Sequence, residues 1–185
     1  MASFFIRDST EADVPAITDI YAEAVLHGTG TFELLPPDAA EMARRRDAVL
    51  AARWPHLVAV STDARTVAGF AYASTFRPRP AYAWTIEDSI YVAPTARGTG
   101  VGGALLRRLL ERCEAAGARR AVAVIGDSAN LGSIGLHASC GFTRAGTLTA
   151  MGWKFNRWLD VVLMERALGD GGTAPPVAEA STQPT

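Results

Sequence analysis

The chain has 185 residues, 49% apolar and 20% charged, with a formal net charge of -1. That is about one domain's worth of an ordinary globular chain, with no general electrostatic reason to bind nucleic acid or an anionic membrane. Two cysteines (Cys113, Cys140) are too few for a disulfide framework, three scattered histidines argue against a metal site, and no run of about 18 apolar residues argues for a membrane span.

Residues 3–7 read as a first strand. Thr10 with Asp13 three residues on is a weak relative of the capping box. Residues 13–26 follow with Val14, Ile17, Ile20, Tyr21 and Ala24 at helical spacing. Residues 27–37 are a glycine-rich loop carrying Phe32, Leu34 and Leu35. Phe32 reads equally as the lining of a cleft or as an anchor on the core. A second helix is expected from Asp38 to about Arg53, with Arg44, Arg45 and Arg46 on a solvated face. Residues 56–61 and 67–76 read as a hairpin. The link 77–80 holds Arg77 and Arg79 between prolines. It reads either as a surface pair or as a carboxylate clamp.

Residues 84–92 read as a strand. By parity Trp84, Ile86, Asp88, Ile90 and Val92 share one face, and Thr85, Glu87, Ser89 and Tyr91 the other. The second face is polar, as the wall of a cleft would be. Glu87 there reads either as a general base at a raised pKa or as a buried structural acid. Asp88, on the apolar face, reads as structural. Next come Arg97, Gly98, Thr99, Gly100, Val101, Gly102 and Gly103, and then a helix with Leu105, Leu106, Leu109, Leu110 and Cys113 on one side.

A strand, a glycine turn and a helix N-terminus form an anion cradle. No Gly-Lys-Ser/Thr follows, so the turn is not a triphosphate loop. The G-x-G-x-x-G spacing is present. However, the dinucleotide fingerprint belongs in a first βα unit with an acid at the end of the next strand, and this turn has neither context. A pyrophosphate cradle for another nucleotide, such as coenzyme A, and a purely structural turn stay open.

Residues 121–125 form a continuous apolar run, as in an inner parallel strand. A polar turn (126–130), a helix (131–139) with His137, and a strand and turn (143–150) follow. Residues 152–160 are dense in aromatics and charges, and residues 161–166 read as the last strand. Residues 169–185 have almost nothing to bury and are expected to be disordered. The order is that of a single mixed α/β layer over residues 1–168. With no charged start followed by an apolar run, no signal peptide is expected, and the cytoplasm is the default location.

The run from Arg97 to Gly102 matches the Arg/Gln-x-x-Gly-x-Gly/Ala signature of the GCN5-related N-acetyltransferase superfamily. Residues 85–92, 126–130, 133–137, 140–142 and 152–160 resemble its phosphinothricin N-acetyltransferase branch, as do residues 6–13 and 29–33. The resemblance spans about residues 4–168. It implies a mixed α/β sheet whose fourth and fifth strands splay apart to admit acetyl-CoA. It implies acetyl transfer to the primary amine of phosphinothricin, methionine sulfoximine or methionine sulfone. Glu87 matches the usual base. Arg97 to Gly103 match the pyrophosphate site, and the strand edge up to Tyr91 and Val92 matches the pantetheine path. Asn130 and Ser133 belong to the adjoining cofactor-binding helix. Arg77 and Arg79 match a grip on the substrate carboxylate. Phe32, Trp153 and Lys154 match pocket walls. His137 stands where many superfamily members carry a tyrosine that protonates the thiolate, and the resemblance makes it a catalytic candidate that either protonates the thiolate, relays a proton or orders the pocket. A homodimer is implied as well. Acetylation of another amine or of a protein N-terminus, and a non-catalytic acyl-CoA-binding domain, are the alternatives.

Overall fold

The computed structural model describes residues 3–176. Seven strands form one sheet in the order β1-β2-β3-β4-β5-β7-β6. They are β1 (Phe4–Asp8), β2 (His56–Ser61), β3 (Val67–Thr75), β4 (Thr85–Val92), β5 (Arg120–Gly126), β6 (Thr143–Lys154) and β7 (Arg157–Ala167). Four helices accompany them: α1 (Val14–His27), α2 (Ala39–Ala51), α3 (Val101–Ala115) and α4 (Leu131–Ser139). All pairings are antiparallel except β4 with β5. The crossover through α3 supplies that parallel step. The mixed α/β sheet expected from the sequence is the observed one.

The central strands are covered on both faces, and their residues divide between two cores by parity. Leu57 and Ala59 of β2 and Ala71 and Ala73 of β3 pack in one core with Leu105, Leu106 and Leu109 of α3. Val58 and Val60 of β2 and Phe70 of β3 face Ile17, Tyr21 and Val25 of α1 and Met42 of α2. The α3 leucines recur at helical spacing and are fully buried. Each such side chain contributes roughly 2 kcal/mol of transfer free energy.

Three expectations change in detail. Trp84 falls just before β4 and is exposed, and its carbonyl accepts from the N–H groups of Arg119 and Arg120. Residues 152–160 form the end of a hairpin rather than a separate segment. β6 and β7 pair down to Lys154 and Arg157, and the turn residues Phe155 and Asn156 both have positive φ, 52° and 57°. The start of the expected tail is also ordered. Leu168 is buried, its N–H donates to Arg119 O, and Asp170 lies 3.4 Å from the Arg119 guanidinium. The rest of that stretch, from residue 177, lies outside the described residues.

The start of α1 is tied to β1 by Asp13. Arg7 donates through both terminal nitrogens to the Asp13 carboxylate, at 2.6 and 2.8 Å, and the Thr10 N–H and hydroxyl donate to the same group. These donors, the Arg7 fork foremost, hold Asp13 down at about 2. A depressed carboxylate stabilises the fold above its unfolded pKa and loses that contribution as pH falls through the folded value. Denaturant titrations should therefore show stability falling between about pH 4 and pH 2, and Asp13→Asn should flatten that part of the curve by removing roughly 1–2 kcal/mol.

Candidate active site

The sheet opens in its middle. β4 and β5 pair only from Thr85↔Arg120 to Asp88↔Ala123. Beyond that point β4 stays with β3 as far as Gly69↔Val92, and β5 stays with β7 as far as Gly126↔Val161. The N–H groups of Phe76 and Ala93 donate across the β3–β4 ladder, to Thr85 O and Ala68 O. Alternation along an antiparallel strand then turns the N–H of Tyr91 toward β3 and those of Ile90 and Val92 into the opening. Of the two residues expected at the pantetheine edge, Val92 presents a backbone donor. Tyr91 supplies packing instead, with its ring centroid 5.1 Å from Phe70 and 4.9 Å from Tyr21. The face expected to be polar throughout is thus a cleft wall at Glu87 and Ser89 and a core face at Tyr91.

The opening is the floor of a cleft of about 1090 Å³. That exceeds the ~300–1,000 Å³ of pockets for drug-sized ligands and suits a long one. At one end stands the glycine turn. Gly98 and Gly100 have φ of 76° and 90°, a region L side chains rarely adopt, and the space beside them is open. The N–H groups of Gly98 and of residues 100–103 donate to no backbone carbonyl among the described residues. They cap the N-terminus of α3, and Arg97 stands exposed beside them. This is an anion cradle with five free donors and a guanidinium. Two residues of the predicted set serve the turn itself: the Thr99 hydroxyl donates to Ala96 O, and Val101 is buried in the core. Asn130 caps α4, its Oδ1 accepting from Ser133 N at 3.2 Å, and both residues line the cleft.

Glu87 and Asp88 project to opposite faces of β4, as parity predicts. Glu87 lines the cleft, half-buried, and its carboxylate has no hydrogen-bond or ion-pair partner among the described residues. Burial, and then the Asp88 charge, push its pKa above the usual glutamate range, while Arg77 pulls the other way. Asp88 is buried, and its Oδ2 lies 2.9 Å from His137 Nε2. The other ring nitrogen, Nδ1, is 2.7 Å from Ser133 O. A carbonyl only accepts, so Nδ1 carries a proton. Burial lowers the His137 pKa, but the Asp88 hydrogen bond and charge outweigh it, and the net direction is up. The expectation that His137 hands a proton to a thiolate meets this geometry: both nitrogens are engaged by protein partners.

The remaining predicted residues divide. Phe32 lines the cleft; Arg77, Arg79, Trp153 and Lys154 do not. Arg77 stacks over Phe76 at 4.9 Å, close enough to Glu87 to influence its titration. Arg79 is exposed just before a short 3-10 turn. Trp153 is 53% exposed and packs edge-on against Trp158. Lys154 is buried behind the cleft wall, its Nζ donating to Gly28 O and Thr31 O. Sequence reasoning missed the pair Asp127–Arg157, 2.5 Å apart, both lining the cleft. It also missed Asp160, which accepts from the Ser128 hydroxyl and the Ala150 N–H. The signal available for these was the polar turn 126–130 and the charge density of residues 152–160, which named the regions without pairing them.

Residues 14–142 match the Acetyltransferase (GNAT) family. A phosphinothricin N-acetyltransferase from Alcaligenes faecalis is 50% identical over 92% of this chain and 86% of that protein. An L-methionine sulfoximine/L-methionine sulfone acetyltransferase from Pseudomonas paraeruginosa is 40% identical over 92% of this chain and 98% of that protein. Among solved structures, a GNAT superfamily phosphinothricin acetyltransferase from Sinorhizobium meliloti in complex with acetyl-CoA superposes with a TM-score of 0.92. It is 45% identical and covers 96% of this chain and 94% of that one. An open parallel pair, a donor-rich glycine turn at its mouth and an unpaired carboxylate on its wall therefore have a family to go with them: the chain belongs to the GNAT acetyltransferases and is an acetyl-CoA-dependent N-acetyltransferase.

Proposed function

We propose that this protein acetylates the primary amine of a small amino-acid-like substrate of the phosphinothricin or methionine sulfoximine/methionine sulfone type, with Glu87 as general base. The observation that carries the reading is Glu87 itself, a partnerless carboxylate of raised pKa in the same cleft as the glycine cradle. The two relatives above supply the substrate class.

The residues divide the work as follows. Arg97 and the N–H groups of Gly98, Gly100, Val101, Gly102 and Gly103 hold the pyrophosphate, and Thr99 and Asn130 keep the turn and α4 in shape. Val92, Tyr91 and Ser133 flank the pantetheine arm. The co-substrate supplies an acetyl group activated as a thioester. Glu87 takes a proton from the substrate ammonium, directly or through a water, and the freed amine attacks the carbonyl. The Val92 N–H is the donor best aimed at the developing oxyanion. Holding both reactants in one cleft provides much of the acceleration, and no covalent enzyme intermediate is required. Arg77, with Arg79 behind it, attracts the substrate carboxylate, and Phe32 walls the head group. His137 holds β4 to α4 through Asp88.

The catalytic unit is residues 1–168, and it works as a cytoplasmic homodimer. The dimer reading is supported by the long edge strand β6 and its hairpin, where Met151, Trp153, Phe155 and Trp158 are about half exposed or more. An exposed apolar cluster on an unpaired edge is a surface that association covers.

The deciding experiment follows coenzyme A release with acetyl-CoA and a panel of phosphinothricin, methionine sulfoximine, methionine sulfone, ordinary amino acids and a peptide N-terminus. Saturable turnover with one of the first three, and little with the peptide, is expected; turnover of the peptide alone would overturn the substrate class. Glu87→Gln should lower kcat by about 10²–10⁴-fold while acetyl-CoA binding persists. The acid limb of the wild-type pH profile should lie above the ordinary glutamate range, because burial favours the protonated form. In an NMR titration His56, lowered by burial and then by the Arg46 charge, should titrate at about 4, and His137 above the ordinary 6.5. Asp88→Asn should lower the His137 pKa, since burial is then opposed only by the hydrogen bond to Ser133 O.

A further inference from the structure

The loop of residues 28–33 carries Phe32 into the cleft, yet its main restraint comes from the far end of the chain. Lys154, near the tip of the β6–β7 hairpin, is 4% exposed. Its ammonium donates to Gly28 O at 2.8 Å and to Thr31 O at 2.9 Å, and lies 5.0 Å from the Phe155 ring centroid. An ammonium is costly to bury without a hydrogen-bonded carboxylate. Here its hydrogen bonds bridge two carbonyls three residues apart and fix the arc of chain between them. Two residues before Lys154, Gly152 lies under Phe32: a Cβ at that position would overlap ring atoms Cδ2 and Cε2. Gly126 lies on a further side, where a Cβ would stand 2.9 Å from Phe32 Cε1. The ring is therefore seated against two bare backbones, with the cleft that also holds Glu87 as its open side.

We propose that Lys154 is a positioning residue and Gly152 a specificity-determining one: together they set how far Phe32 reaches into the amine end of the cleft, and so the size of head group that the enzyme accepts. Lys154 acts on the substrate only through the loop. The inference rests on the proposed amine-acetylating reading. A methyl group at Gly152 pushes the ring toward the cleft, because Gly126 blocks retreat. Loss of the Lys154 donors lets the loop drift and weakens amine binding without touching the glycine cradle.

The test is steady-state kinetics of the wild type, Lys154→Met, Lys154→Arg and Gly152→Ala with acetyl-CoA and amino acids of graded side-chain length up to methionine sulfoximine. Lys154→Met should raise the amine KM about tenfold or more while kcat and the acetyl-CoA KM stay within about twofold, a split that general destabilisation does not produce. Lys154→Arg, which keeps the donors, should recover most of that loss. Gly152→Ala should cost about tenfold or more in kcat/KM for methionine sulfoximine and about threefold or less for an acceptor two heavy atoms shorter. An unchanged amine KM in Lys154→Met, or a size profile in Gly152→Ala parallel to the wild type, would overturn the proposal. If Lys154→Met does not fold, the Gly152→Ala profile decides alone. If the wild type acetylates none of these amines, the proposed function fails by itself. Amide hydrogen exchange across residues 28–33 then still reads the clamp: exchange about tenfold faster in Lys154→Met supports it, and unchanged exchange overturns it.

Discussion

Everything functional here depends on one interruption in a hydrogen-bond ladder. β4 and β5 pair for four residues each and then part, because β4 follows β3 while β5 follows β7. A parting inside a sheet is expensive. The N–H groups of Ile90 and Val92 lose their strand partners in a half-buried place, and a buried unmet donor costs roughly 1–3 kcal/mol. The same donors are what an elongated ligand with carbonyl groups along its length can satisfy. The cleft is thus a defect in the sheet that a ligand repairs, and the free N–H groups at the start of α3 extend the same logic to an anion.

Asp88 and His137 sit where the strands part. They are two ionisable residues held almost wholly out of water, and Asp88 keeps one oxygen, Oδ1, without a hydrogen-bond partner. Such a pair is weak evidence for stability, since desolvation offsets much of the attraction. Its evident effect is geometric: it joins the last β4 residue that pairs with β5 to the final turn of α4, across the floor of the cleft. Glu87, the next residue along the strand, has the opposite circumstances. It faces the cleft, meets no partner, and retains the capacity to take a proton. One step along an extended chain separates a tethered carboxyl group from a free one.

Much of this was legible in the sequence. The apolar stripe of α3, the two faces of β4 and the glycine turn followed from periodicity and from what glycine permits. The hairpin β6–β7 did not, because its turn is Phe155-Asn156, and phenylalanine gives no sign of a left-handed backbone. The pairing of Asp88 with His137 spans 49 residues and depends on how α4 lies across the sheet. Arg77 and Arg79 lie near the site in sequence, but neither lines the cleft, and Arg77 stacks on Phe76 instead. Resemblance puts Lys154 at the pocket wall, and only the folded 28–33 loop reveals the carbonyls that its ammonium holds. Local rules named the elements, and tertiary contact decided which side chains they bring together.

The strand order also sets a timetable for synthesis. β7, the last strand made, lies inside the sheet between β5 and β6. The antiparallel ribbon β1 to β4 can form as it leaves the ribosome, each strand beside its predecessor. β5 has an open edge until residues through Ala167 have emerged, and α4 and β6 wait with it. Open strand edges on a nascent chain invite pairing with other chains. The half of the molecule that closes the cleft is therefore completed last, and premature termination within β7 would leave β5 with one open edge and β6 without a neighbour.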